Sequence, residues 1–195
     1  MITEPITVHV VAMKRRHVRS VVKIEEQVYP RPWSTPLFLS ELALRTTRSY
    51  FVARVGREVV GYGGLMMSAD DGHVTTIAVD PAWQRHRIGT RLMLALARES
   101  LARDAKHLTL EVRLSNLGAQ HLYRRFGFAP VGVRKNYYQL SPGTPGAVHA
   151  ADPEATVEDA LVMWAHEIDS PDYAALLDSI ERTVPGETVF EGRKR

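Results

Sequence analysis

The chain has 195 residues, 45% of them hydrophobic, with no cysteine and a formal net charge of +3. That length fits one domain with a sizeable core, and the absence of cysteine excludes a disulfide framework, a thiolate metal site and a cysteine nucleophile. No apolar run approaches the ~18 residues of a membrane span, and only short apolar stretches precede Lys14-Arg15-Arg16 where a secretory signal needs a longer core, so a cytoplasmic protein without membrane association is expected. The charge is uneven. Residues 1–140 carry 21 Lys and Arg against 11 Asp and Glu, whereas residues 141–195 carry 4 against 11. A basic body of this kind suits a polyanion, either the phosphates of a nucleotide cofactor or an RNA, and equally a solvated surface offset by an acidic tail.

In chain order, residues 7–11 read as a first strand. A helix is expected over 15–29, with Val18, Val21, Val22, Glu25 and Val28 spaced for one face. Glu25 interrupts that face, which places it at an exposed edge or towards a substrate cleft. Pro30-Arg31-Pro32-Trp33-Ser34 is a loop, because two prolines cannot continue a helix, and Thr35-Pro36 starts the next one, running to about residue 45. Residues 50–55 and 58–67 form two strands joined by Gly56-Arg57. Asp71-Gly72 turns into a further strand over 73–79, completing an antiparallel meander. A helix over 88–105 follows, with Ile88, Leu92, Ala95 and Leu96 on one side.

Residues 108–113 alternate strictly, Leu108, Leu110 and Val112 against Thr109, Glu111 and Arg113, as a half-buried strand does. Its polar face carries a carboxylate that can point into a cleft or lie in solvent. The next helix sets Ala119, Leu122, Tyr123 and Phe126 on one face and stops at Gly127, so a strand acid and a helix phenol can converge, unless Tyr123 only fills the core. Strands over 131–140 and 159–164 close the sheet around a Pro/Gly/Ala-rich loop at 141–157, expected to be mobile and long for a hairpin. Residues 169–195 read as an acidic extension beyond a domain of residues 1–168. It contains a short helix bearing Tyr173, Leu176, Leu177 and Ile180 and a frayed basic end, and is expected to be dispensable for folding.

Leu110-Glu111-Val112-Arg113 with Ser115-Asn116, then Leu122-Tyr123 and Gly127-Phe128, resembles the GNAT acetyltransferases. Within them it is most similar to protein N-terminal acetyltransferases of the bacterial ribosomal-protein-alanine (RimI-like) kind, over residues 5–140 with a fainter echo at 158–163. The resemblance implies an α+β fold, a mixed seven-stranded sheet flanked by about four helices. It implies acetyl-CoA as co-substrate, Glu111 as general base and Tyr123 as general acid. Gln84-Arg85-His86-Arg87-Ile88-Gly89-Thr90 is similar to the family's coenzyme A loop, Gln/Arg-x-x-Gly-x-Gly/Ala. A turn entering a helix offers unpaired N–H groups and the positive end of the helix dipole to a pyrophosphate. Arg87 stands where the family has its first glycine. A left-handed backbone there would strain the loop by roughly 1–2 kcal/mol; otherwise Arg87 adds a cation beside the phosphates.

Ile77, Ala78 and Val79 correspond to the segment whose backbone holds pantetheine and acetyl, and Asn116 to a cofactor-contacting asparagine that is also suited to capping a helix. Tyr137 and Tyr138 resemble the paired tyrosines that bind a peptide backbone. With Tyr29 and Trp33, and with Glu25 where it faces the cleft, they would frame a tunnel for a protein N-terminus. An α-amine has a pKa of about 7.7–8.0 against about 10.4 for lysine, so deprotonation at pH 7 costs roughly 1 kcal/mol rather than 4–5. One carboxylate acting through water suffices for the former, with a backbone N–H near Val79 polarising the thioester. No metal is required, and His73, His86, His107 and His121 show no ligand spacing. Three readings remain: a protein N-α-acetyltransferase, with a ribosomal protein that begins with alanine as the acceptor the resemblance implies; a GNAT enzyme for lysine or a small amine; and a non-catalytic module docking on RNA or protein.

Overall fold

The computed structural model describes residues 6–139 and 157–191. In chain order these form β1 (Thr7–Ala12), α1 (Val18–Val28), α2 (Thr35–Ala43), β2 (Arg48–Val55), β3 (Glu58–Ser68), β4 (Asp71–Val79), α3 (Ile88–Leu101), β5 (His107–Arg113), α4 (Leu117–Arg125), β6 (Ala129–Gln139), β7 (Val157–Ala165), α5 (Pro171–Arg182) and β8 (Glu187–Glu191). The fold is α+β. The strands make one mixed sheet in the order β6-β7-β5-β4-β3-β2-β1-β8, parallel only at β4–β5 and β1–β8. Local signals explain several boundaries. Ser34 caps α2 ahead of Pro36, a 3-10 turn over Arg15–His17 takes the start expected for α1, and Gly56 turns β2 into β3 with φ +57°.

The site depends on where β4 and β5 part. They pair only at Asp71↔His107, Gly72↔Leu108 and His73↔Thr109. Beyond that rung β4 stays with β3 and β5 stays with β7. A bulge drives the separation: Gly64 faces Thr76 and Leu65 faces Val74, leaving Thr75 as the extra residue on β4. Gly64 permits it, because a Cβ there would come within 2.3 Å of the Tyr50 ring and 2.8 Å of the Thr75 hydroxyl.

Two expectations are corrected. The described residues hold eight strands and five α-helices, not seven and about four. The tail is also not an appendage. Ile168, Tyr173, Leu177 and Ile180 sit in one hydrophobic core with Leu96, Leu108 and Phe126, Arg98 of α3 pairs with Asp178 and Glu181 of α5, and β8 adds to the sheet beside β1. Residues 165–191 therefore do not follow the last strand; they contain it. The expected loop at 141–157, up to residue 156, and the basic end at 192–195 lie outside the described residues.

Candidate active site

The splay opens into a cavity of about 440 Å³ that gathers Glu25, Tyr29 and Trp33 with Glu111, Tyr123, Tyr137 and Tyr138. Of the cofactor residues expected from sequence, Ile77 reaches this cavity. Ala78, Val79, Asn116 and the 85–90 turn are not among its lining residues.

Glu25 is 1% exposed, at the end of the buried face of α1. Its Oε2 accepts the Trp33 amide at 2.7 Å, and the Thr76 side chain bonds to it as well. Burial outweighs both bonds and pushes its pKa up to about 7. Glu111 is the opposite case. Its carboxylate accepts Arg134 Nη1 at 2.6 Å and lies 3.2 Å from His73 Nε2, and the His73 bond leads the causes that hold its pKa below the usual carboxylate range. The expected base is thus in the cavity, but in an ion-paired form that binds protons weakly. Neither His73 nor Arg134 stood out as its partner in the sequence.

Tyr123 is buried beside Phe128, with ring centroids 6.0 Å apart. Burial, then the neighbouring Tyr29 and Tyr138, drive its pKa far above the ordinary phenol value, so it keeps its proton at any working pH. Tyr29 donates to the Ile77 carbonyl at 2.8 Å, and burial raises its own pKa to about 12. Tyr138 donates to the Glu111 carbonyl at 3.0 Å, and Arg113 stacks 4.5 Å over its ring while pairing with Glu158 at 3.1 Å. Tyr137 is 46% exposed at the mouth, with Arg134 over its ring at 5.0 Å. The register slips between Arg134↔Ala160 and Tyr138↔Glu158. Within this slip Asn136, at φ +55°, donates its amide to Asp159, and that irregularity turns the two tyrosines onto the cavity.

The cofactor elements fit an acyl-CoA. On its β5 side β4 has no partner strand over Ile77, Ala78 and Val79, which leaves room for an extended ligand, with the Ile77 carbonyl held by the Tyr29 hydroxyl. The N-terminus of α3 has no side-chain cap, so the amides of Ile88, Gly89 and Thr90 remain available, with Arg85 and Arg87 exposed beside them. Arg87 adopts φ +60° and Arg85 φ +69°. The strained alternative for Arg87 is therefore the real one. A Cβ on Gly89 would lie 3.4 Å from Leu122, a close passage between α3 and α4. His86 folds back, its Nδ1 2.9 Å from the Gln84 carbonyl and its ring 5.7 Å from that of Trp83. Asn116 caps α4, its Oδ1 accepting the Ala119 amide at 3.0 Å. Among the described residues no cluster of three metal-ligating side chains occurs, and no helix is long and apolar enough to cross a membrane.

The sequence profile of the Acetyltransferase (GNAT) family matches residues 18–128, more than half of the chain. The chain belongs to the GNAT acetyltransferase family. The enzymes of this family use acetyl-CoA. This GNAT acetyltransferase is 37% identical over 145 residues to the N-alpha-acetyltransferase RimI of Mycobacterium tuberculosis, covering 71% of the chain and 88% of the relative. To the [ribosomal protein bS18]-alanine N-acetyltransferase of Escherichia coli K12 it is 32% identical over 130 residues, covering 67% and 86%. The crystal structure of the Escherichia coli ribosomal-protein-S18-alanine N-acetyltransferase superposes with a TM-score of 0.69 at 27% identity, over 82% of this chain and 94% of that one.

Proposed function

We propose that this GNAT acetyltransferase transfers acetyl from acetyl-CoA to the N-terminal α-amine of a protein, a ribosomal protein beginning with alanine being the acceptor that the relatives' names suggest. The observation that carries this reading is the meeting of Glu25, Glu111 and Tyr123 in one tyrosine-walled cavity at the β4–β5 splay. Acetyl-CoA supplies the activated thioester. Arg85, Arg87 and the amides of Ile88, Gly89 and Thr90 would hold its pyrophosphate, and the free side of β4 at Ile77, Ala78 and Val79 its pantetheine arm. An extended peptide end enters between Tyr137, Tyr138 and the Tyr29–Trp33 wall.

Roles follow from proton affinity. The α-amine arrives mostly protonated, with a pKa of about 7.7–8.0. Glu111, ionised throughout the neutral range, attracts and orients the ammonium. Moving its proton to a carboxylate with a pKa below 4.5 costs upward of about 4 kcal/mol, but to Glu25 at about 7 only about 1 kcal/mol. Glu25 is therefore the better-matched acceptor, directly or through water, and Glu111, the base implied by the family resemblance, becomes the orienting charge. Tyr123 protonates the departing thiolate.

The test offers acetyl-CoA with two peptides, one with a free N-terminal alanine and one blocked but containing lysine. Acetylation of the free N-terminus alone is expected. Transfer to the blocked peptide at equal rate would overturn the α-amine assignment.

A further inference from the structure

Arg91, in the second turn of α3, has no exposed surface. Its Nη1 donates to the His86 carbonyl at 2.8 Å, its Nε to the Thr188 hydroxyl at 2.8 Å, and its Nη2 to the Pro185 carbonyl. All three acceptors are neutral, and no carboxylate pairs with Arg91 among the described residues. A buried cation without a counter-charge is expensive, and its burial lowers its pKa. Two features of the surroundings give that expense a use. His86 lies between two non-glycine residues in left-handed conformation, Arg85 and Arg87, a turn that persists only where its surroundings hold it. The turn is also the one proposed to receive a pyrophosphate, for which an uncompensated positive charge beneath the backbone adds attraction.

The far side of the clasp is itself fixed. Gly186 has φ +78°, and a Cβ there would come within 2.4 Å of the Ile6 carbonyl, which accepts the Glu187 amide at 3.2 Å. From Thr7↔Glu187 to Val11↔Glu191 the strand β8 then runs in register with β1. Residues 185–188 lie well beyond the family's matched segment, which ends at 128, yet they touch the cofactor turn through one side chain.

We propose that residues 185–188, acting through Arg91, hold the pyrophosphate-receiving turn in its binding conformation, so that the C-terminal strand sets the affinity for acetyl-CoA. Arg91 and Thr188 are positioning residues. The proposal rests on the reading that residues 85–90 receive the pyrophosphate.

The test measures acetyl-CoA affinity by calorimetry in full-length protein, with Arg91→Lys, Arg91→Met and Thr188→Val checked as folded by circular dichroism. Arg91→Lys keeps the charge but loses the three-way fork, and about tenfold weaker binding is expected. Arg91→Met loses charge and fork together and weakens binding further. Thr188→Val removes one hydroxyl and weakens it several-fold, and carries the test should Arg91→Met fail to fold. At saturating acetyl-CoA the turnover of Arg91→Lys and Thr188→Val should stay within about twofold of wild type, placing the loss in KM. A merely structural role would lower the melting temperature and leave the affinity of the folded protein unchanged. Wild-type affinity in both Arg91→Lys and Thr188→Val overturns the clasp while leaving the proposed function standing. A wild-type protein that does not bind acetyl-CoA overturns the pyrophosphate reading and the clasp with it.

Discussion

Glu25→Gln should make the protein more stable and less active, and both effects should follow pH. In the folded chain the Glu25 pKa stands at about 7 against an ordinary value of 4.5, because burial disfavours the carboxylate more than the Trp33 and Thr76 bonds favour it. A raised pKa means that the folded state holds this proton more tightly than the unfolded chain. The associated stability is complete below about pH 4.5 and is lost as pH rises to about 7, after which the loss is constant. A shift of about 2.5 pKa units corresponds to about 3 kcal/mol. Glutamine keeps the shape and never ionises, so the variant should match wild type near pH 4 and exceed it by up to about 3 kcal/mol at pH 8. For a chain of this size that is roughly 6–12 °C in melting temperature.

Thermal unfolding of both proteins across pH 4–8.5 reads the difference directly, because the titration of every other carboxylate cancels between them. In parallel, the wild-type rate should show an acidic limb near pH 7, and Glu25→Gln should lose that limb and ~10²–10⁴-fold of turnover. A pH-independent gap in melting temperature would refute the buried-carboxylate argument. A limb near pH 7 that survives in Glu25→Gln but disappears in Glu111→Gln would transfer the proton-accepting role to Glu111.

Glu111→Gln should weaken use of the peptide more than that of acetyl-CoA in steady-state kinetics; because its pKa is lowered, the stability it supplies is present above the ordinary carboxylate range and is lost as pH falls, so the melting deficit of the variant should shrink on acidification. Tyr123→Phe should cut turnover by ~10²-fold or more with acetyl-CoA affinity unchanged by calorimetry, and the strongly raised pKa of the wild-type phenol should leave no alkaline limb assignable to it below pH 10. Arg87→Gly releases a left-handed arginine, so thermal unfolding should show a gain of up to about 1 kcal/mol, while loss of the cation should weaken acetyl-CoA binding and flatten its salt dependence. Truncation after Glu167 removes Ile168, Tyr173, Leu177 and Ile180 from the core, on the order of 6–12 kcal/mol of apolar burial against a typical net stability of about 5–15 kcal/mol; soluble expression with native-like circular dichroism would show that the tail does not support the fold.

The features legible in the sequence were those written in contiguous pattern. The alternation of β5 and the single face of α4 placed Glu111 and Tyr123 together, and the 30–34 proline loop placed Trp33 after α1. What stayed hidden depends on contacts between distant segments. The β8 strand is five residues long and pairs with a strand some 180 positions earlier, so no local period announces it. Neither the His73–Glu111 nor the Arg134–Glu111 contact can be read from spacing, because the three residues come from β4, β5 and β6. Asn116 was legible as a cap and is one. Arg87 could be flagged as an exception but not resolved, since φ is a property of the folded turn.

The two acidic residues owe their opposite proton affinities to the same departure of β4 from β5. His73 occupies the last paired rung. One step further the strands have separated, and its ring reaches across to Glu111, placing a hydrogen-bond donor where a backbone ladder would otherwise continue. That contact, with Arg134 from β6, holds the Glu111 pKa below the usual carboxylate range. On the opposite wall the strand has already turned at the Thr75 bulge, and Thr76 meets Glu25 and Tyr29 beneath α1, where the Trp33 amide also bonds the carboxylate. Among the described residues no cation pairs with Glu25, and its burial brings its pKa to about 7. In the proposed reaction an amine that enters as a cation and reacts as a neutral nucleophile is served by one group of each kind. Where environments push two carboxylates apart in this way, their roles divide accordingly.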